Sequence, residues 1–134
     1  MGGRGASSGE GRGRAPQGYR TVGKIHGIPV IKALDPGGRG KALPTKAKPN
    51  SRYFGVNRHG EVKQLRIYDK SGNAKKDIDW QHSFGGHRDG TVHCHKWNGK
   101  IRSLDHLPLT ESEISKYKKA IEDAAGREDL IWEW

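Results

Sequence analysis

Between Asp77 and Trp97 the chain reads DIDWQHSFGGHRDGTVHCHKW. Four of its seven histidines fall here (His82, His87, His93 and His95), with Asp77 and Asp79 at alternate positions and Trp80 and Trp97 nearby. Imidazoles change charge near neutral pH and are common metal ligands, so this density marks a candidate site. On an extended strand, residues i and i+2 point the same way, which lets His93 and His95 reach one substrate or one ion. Two chemistries suit such a pair. As general acid and base it would serve a ribose 2′-hydroxyl and a leaving 5′-oxygen, with Arg102 or Lys100 stabilising the phosphorane. As ligands, His93 and His95 would hold a divalent metal with Asp79 and His82 completing the set. The first is expected, and so no cofactor, because the cations beside the histidines repel a metal ion and suit a phosphorane. A divalent metal on Asp79, His82, His93 and His95 is the alternative.

The expected catalytic set is therefore His82, His93, His95, Asp79 and Arg102. Lys63, Arg66, Lys96, Trp97 and Lys100 are assigned to nucleic acid, with Trp97 placed to stack a base. The plainer alternative is a pair of solvated histidines, with Asp77 and Asp79 balancing Lys75 and Lys76. His26, His59 and His106 fall at turns or element ends and are left outside the site. The chain lacks a Walker loop, a CxxC pair, GxSxG and a dinucleotide fingerprint, so it offers nothing for those chemistries.

The elements that must position these residues read as strands. TVGKI and IPVIKAL flank His26-Gly27 as a hairpin, with Pro29 placing the second run at an edge or starting it after the proline. Residues 35–50 read as a long, exposed basic loop. SRYFGVN, EVKQLRIYD and NAKKDIDW are separated by turn residues in the manner of a meander. Within them Leu65 and Ile67 oppose Arg66 and Tyr68, and Ile78 and Trp80 oppose Asp77 and Asp79. HSFGGHRDG reads as loop. TVHCHKW and KIRSL flank Asn98-Gly99, a strong hairpin signal. A two-residue turn there pairs Trp97 with Lys100, Lys96 with Ile101 and His95 with Arg102. Val92, Cys94 and Ile101 would then face the core, leaving His93, His95, Trp97, Lys100 and Arg102 as a surface ladder. Thr110 to Glu113 is a capping-box pattern, followed by Ile114, Tyr117, Ile121 and Ala124 at helical spacing and by Gly126 as a stop.

The expected architecture is one basic α+β domain over residues 19–134. It comprises an antiparallel β-meander of five to seven strands closed by a single C-terminal α-helix. Residues 1–18, rich in glycine, serine and arginine, are expected to form a disordered arm. The formal charge of +10 is carried by the part of the chain before residue 107, and acids outnumber bases after it. That imbalance fits a polyanionic partner, RNA more than DNA. Cys94 is the only cysteine, so no intrachain disulfide is possible and a reducing compartment fits. No apolar run approaches a membrane span and no signal-peptide pattern is present, so a cytoplasmic protein without membrane contact is expected.

The run from Ile67 to Arg102 resembles a motif block of C-terminal domains of bacterial polymorphic toxins and their small phage-encoded relatives. The pattern is YD-x-x-G, DID, a histidine, a glycine-rich gap, then H-x-H-x-W. It falls on Tyr68, Asp69, Gly72, Asp77, Ile78, Asp79, His82, His93, His95 and Trp97. The opening GGRGASSG resembles the starts of some phage-encoded proteins. The resemblance implies a toxin-like nuclease, delivered into a target cytoplasm and paired with a small acidic inhibitor protein. A nucleic-acid-binding or phage accessory protein without catalysis, and a metal-dependent hydrolase, are the competing expectations.

Overall fold

The computed structural model describes residues 15–34, 43–57, 59–80 and 90–132. Among these described residues eight strands form: β1 (Tyr19–Ile25), β2 (Ile28–Ala33), β3 (Arg52–Val56), β4 (Val62–Tyr68), β5 (Ala74–Asp79), β6 (Thr91–Asn98), β7 (Ile101–Arg102) and β8 (Ile131–Trp132). One helix, α1 (Glu111–Ala125), lies between β7 and β8. Strands β1 to β7 stand in sequence order, and β8 adds to β6.

The α+β class holds, but the purely antiparallel meander of five to seven strands is corrected to a mixed sheet of eight. Strands β2 and β3 run parallel, as do β6 and β8. The cause is chain length between the strands. Residues 34–51 are enough to carry the chain back to its starting end, whereas a tight turn forces antiparallel pairing. Pro29 sits inside β2, which is not an edge; β3 joins β2 only at Val30 and Ile31, after the proline. The β1–β2 turn is as read, with His26 and Gly27 both at positive φ (51° and 79°), the backbone hand that matches strand twist. The expected arm falls on residues 1–14, outside the described residues, and on 15–18, which form a turn closed by Tyr19 N–H to the Pro16 carbonyl.

Alternation along the strands divides the sheet into two faces. On one, Val30, Phe54, Leu65, Ile78, Trp80 and Cys94 pack under Tyr117, Ala120 and Ile121 of α1. The helix starts where its sequence says. The Thr110 hydroxyl accepts from Glu113 N–H, the Glu113 carboxylate accepts from Thr110 N–H, and Gly126 ends it at φ 66°. No described helix is long and apolar enough to cross a membrane.

The opposite face carries a smaller apolar cluster, Ile31, Leu43, Tyr53, Tyr68 and Ala74, beside a row of polar side chains. Leu43 is buried, so this part of the expected exposed loop is core; residues 35–42 lie outside the described set. The Asp69–Gly72 turn secures this segment. Asp69 Oδ1 accepts from the backbone N–H of Ser71 and Asn73, and those bonds hold its carboxyl below the usual carboxylate range. Gly72, at φ 83°, accepts from Ala47 N–H, and a Cβ there would fall 2.4 Å from the Ala47 carbonyl oxygen. Tyr68 O–H donates to the Pro44 carbonyl, 2.6 Å away.

At the β6–β7 hairpin the register differs from expectation. Gly99 and Lys100 make the turn, Asn98 opposes Ile101 and Trp97 opposes Arg102. Gly99 supplies the positive φ at the first place of the loop, whereas a turn centred on Asn98-Gly99 would put it at the second. The displacement keeps Arg102 on the histidine face, because opposed residues still share a side. Ile101, expected in the core, is instead 73% exposed.

Candidate functional site

Strand register builds the polar face in rows. Gln64, Asp79 and His93 stand side by side across β4, β5 and β6, and Arg66, Asp77 and His95 form the next row. This is the alternation seen in the sequence, but its environment is different. His93 and His95 are 1% and 2% exposed, and Asp77 is fully buried. The surface ladder is thus corrected to a buried array. The chain after β7 folds back over it: Ser103 N–H donates to Lys96, and Leu107 exchanges both backbone bonds with Cys94. Leu107 faces the helix side with Cys94, so its neighbour His106 turns toward His93 and His95.

The three imidazoles converge. The His93 and His106 rings stack at 4.1 Å with planes 6° apart, and His95 stands edge-on to them at 5.1 Å and 4.8 Å. One ring nitrogen from each lies within 4.8 Å of the others. Two rings are oriented by the backbone: His93 Nδ1–H donates to the Thr91 carbonyl at 2.9 Å, and His95 Nδ1–H to the Ser103 carbonyl at 3.1 Å. A carbonyl only accepts, so in each neutral ring the proton sits on Nδ1 and Nε2 keeps its lone pair. Burial, and then the Arg102 charge, hold His95 below the ordinary histidine pKa despite the opposing pull of Asp79. The neutral ring is therefore the favoured form near pH 7. Its Nε2 has no hydrogen-bond partner among the described residues and stands 3.6 Å from Asp79 Oδ2.

An ionic network backs the cluster. Asp77 accepts from Arg66 through both oxygens (2.6 and 3.0 Å) and from Arg102 Nε at 2.7 Å. Asp79 accepts from Arg102 Nη2 at 2.6 Å and from Gln64 at 3.2 Å. Arg66 also donates to the Leu43 and Pro44 carbonyls, and its guanidinium lies 4.7 Å from the Trp97 ring centre. Two guanidiniums face two carboxylates, so the network is formally neutral.

Of the expected catalytic residues, Asp79, His93, His95 and Arg102 meet here, whereas His82 lies outside the described residues, as does His87. The residues assigned to nucleic acid divide between the faces. Arg66 and Trp97 are on the histidine side, Arg66 being buried; Lys63 and Lys96 share the alternation of Leu65 and Cys94 on the helix side; Lys100 is exposed in the turn. Cys94 is buried on the helix side, and desolvation raises its thiol pKa, which makes it a poor nucleophile.

His106 is the site residue that sequence reasoning passed over. The available signal was parity. His106 lies an even number of places beyond Arg102, and the return segment gains two residues between its pairings with Trp97 and Cys94. An even insertion leaves the facing unchanged. Comparison with protein-family models, with curated proteins and with solved structures finds no match for this chain.

Proposed function

We propose that this protein is a nuclease, RNA preferred, whose reacting centre is the imidazole cluster of His93, His95 and His106. The convergence of three imidazoles, two with Nδ1 fixed on backbone carbonyls, carries the reading. A bare Nε2 is what an imidazole needs to take a proton from an attacking oxygen or to hold an ion that activates one. The charge of +10 supplies a substrate argument, because a polyanion is attracted before any specific contact forms.

In this reading Arg102 is a positioning residue. Both its bonded nitrogens are committed to Asp77 and Asp79, and through Asp79 it sets the field at His95. Toxin-like deployment in a target cytoplasm, with a small acidic inhibitor, agrees with the motif block and with the charge.

The test is cleavage of a labelled RNA and a DNA of the same sequence by wild type and by His95→Ala. Wild type is expected to cut, RNA faster, while His95→Ala loses cleavage and keeps RNA affinity within a few-fold, since the imidazole acts chiefly in the transition state. No cutting of any RNA, together with salt-dependent binding, replaces the nuclease by a binding module. Undiminished cutting by His95→Ala removes the cluster from the chemistry.

A further inference from the structure

We infer that His93, His95 and His106 form a binding site for one divalent transition-metal ion of the zinc class. The ion's placement stands on the imidazole geometry; its role as a hydrolytic centre rests on the nuclease reading above.

The donor set comes first. Each imidazole contributes one nitrogen, and these lie within 4.8 Å of one another. A tetrahedral zinc with Zn–N bonds of about 2.0–2.1 Å sets its ligand nitrogens roughly 3.3 Å apart, so the cluster needs only modest contraction. Histidine ligands that bind metal donate their other N–H to a carbonyl or carboxylate, which fixes the tautomer. His93 and His95 have that arrangement through Thr91 and Ser103. The His95 Nε2 atom is buried without a hydrogen-bond partner among the described residues, an unfavourable state for a nitrogen lone pair that ligation would relieve.

Electrostatics do not oppose the ion. Beside a bare Arg102 a cation would be repelled, but Arg102 and Arg66 are matched by Asp77 and Asp79 at 2.6–3.0 Å. Asp79 itself, engaged by Arg102 and Gln64, serves as an outer carboxylate 3.6 Å from His95 rather than as a ligand. An all-imidazole set selects zinc, cobalt, nickel or copper over magnesium and calcium, which prefer oxygen. Three protein ligands leave a fourth position for water, the pattern of catalytic rather than structural zinc.

One movement is required. The His93 and His106 planes are nearly parallel, and lone pairs lying in parallel planes do not meet at a point. His106 must tilt out of the stack. It is carried on the irregular segment between Arg102 and Leu107, outside helix and strand, and the tilt breaks its stack with His93. In the hydrolysis this site would perform, the bound water loses one proton to solvent and its oxygen bonds to phosphorus. The bond from phosphorus to the leaving ribose oxygen then breaks, and that oxygen takes a proton from solvent. No 2′-hydroxyl takes part, so DNA becomes a substrate as well.

The experiment is to strip the full chain with a chelator, then titrate it with Zn2+, Co2+ and Mg2+. Bound metal is counted by mass spectrometry and Co2+ is followed through its ligand-field absorption. One Zn2+ or Co2+ per chain and no Mg2+ is expected, with a tetrahedral Co2+ spectrum and a melting temperature that rises with Zn2+. His93→Gln, His95→Gln and His106→Gln should each weaken binding by about 100-fold or more, judged against ligand-support losses of 10–100-fold. His59→Gln should leave it unchanged. A stripped wild type that takes up no ion overturns the inference whatever the variants do, as does binding that survives loss of all three histidines. One ion bound without cleavage of RNA or DNA upholds the site and removes the nuclease. Cleavage by ion-free protein removes the ion from the chemistry and leaves the nuclease.

Discussion

Asp77 is buried to its last atom, yet its side chain is shared by two guanidiniums. A buried ion pair is costly to half-remove, because the surviving charge keeps its desolvation penalty and loses its partner. Asp77→Asn is accordingly expected to lower stability by about 3–5 kcal/mol, read as a fall in the urea midpoint. An Asp77→Asn protein that unfolds with the wild type would show that Arg66 and Arg102 find other acceptors. Asp77 and Asp79 were legible as a pair on one face, since strand alternation is strict. Their partners were not legible, because cross-strand neighbours depend on register between distant segments. Arg66 looks in sequence like any surface cation; its burial is made possible by Asp77 on the neighbouring strand and by the Leu43 and Pro44 carbonyls, more than twenty residues earlier.

At the level of elements, α1 is fastened to the sheet by an ion pair between Lys76 on β5 and Glu113 in its first turn. Burial pushes the Glu113 carboxyl up, but the Lys76 bond, the Thr110 N–H and the Lys76 charge together outweigh it and leave the pKa below 4.5. A carboxylate lowered on folding stabilises the fold above its unfolded pKa and loses that contribution as pH falls through the folded value. Wild type should therefore weaken from about pH 4.5 downward, and Glu113→Gln should show a shallower acid slope with lower stability at pH 7. Thermal melts across pH 3–7 test this; parallel pH profiles would mean the pair contributes nothing. The helix itself was readable because its cap, stripe and stop are local signals. The parallel contacts of β3 and β8 were not, since a two-residue strand has no period and a crossover direction is set by what the chain must pass around. The motif block divides along the same line: Tyr68, Asp69 and Gly72 build a turn, and His93 and His95 enter the cluster with Asp79 beside them.

For the whole molecule, charge predicts behaviour that no single contact does. Affinity for single-stranded RNA should fall steeply with salt, and removing a lysine that meets phosphate should reduce the slope of log K against log salt by about 0.7. Lys100→Ala, exposed at the hairpin tip, is expected to do so. Fluorescence anisotropy at several ionic strengths measures the slope, and equal slopes for variant and wild type would deny Lys100 a place at the phosphates. One further consequence follows from how β6 is completed. Its outer edge is paired by two separate stretches, the return from β7 through Leu107 and then β8, whose Ile131 opposes the Thr91 that steers His93. Chains are made N-terminus first at roughly 5–20 residues per second, so residues 19–98 are synthesised seconds before 131–132. The imidazole cluster takes its third ring from residue 106, and the strand that carries the other two takes its final pairing from residue 131, so the cluster is completed only after the rest of the sheet has been made.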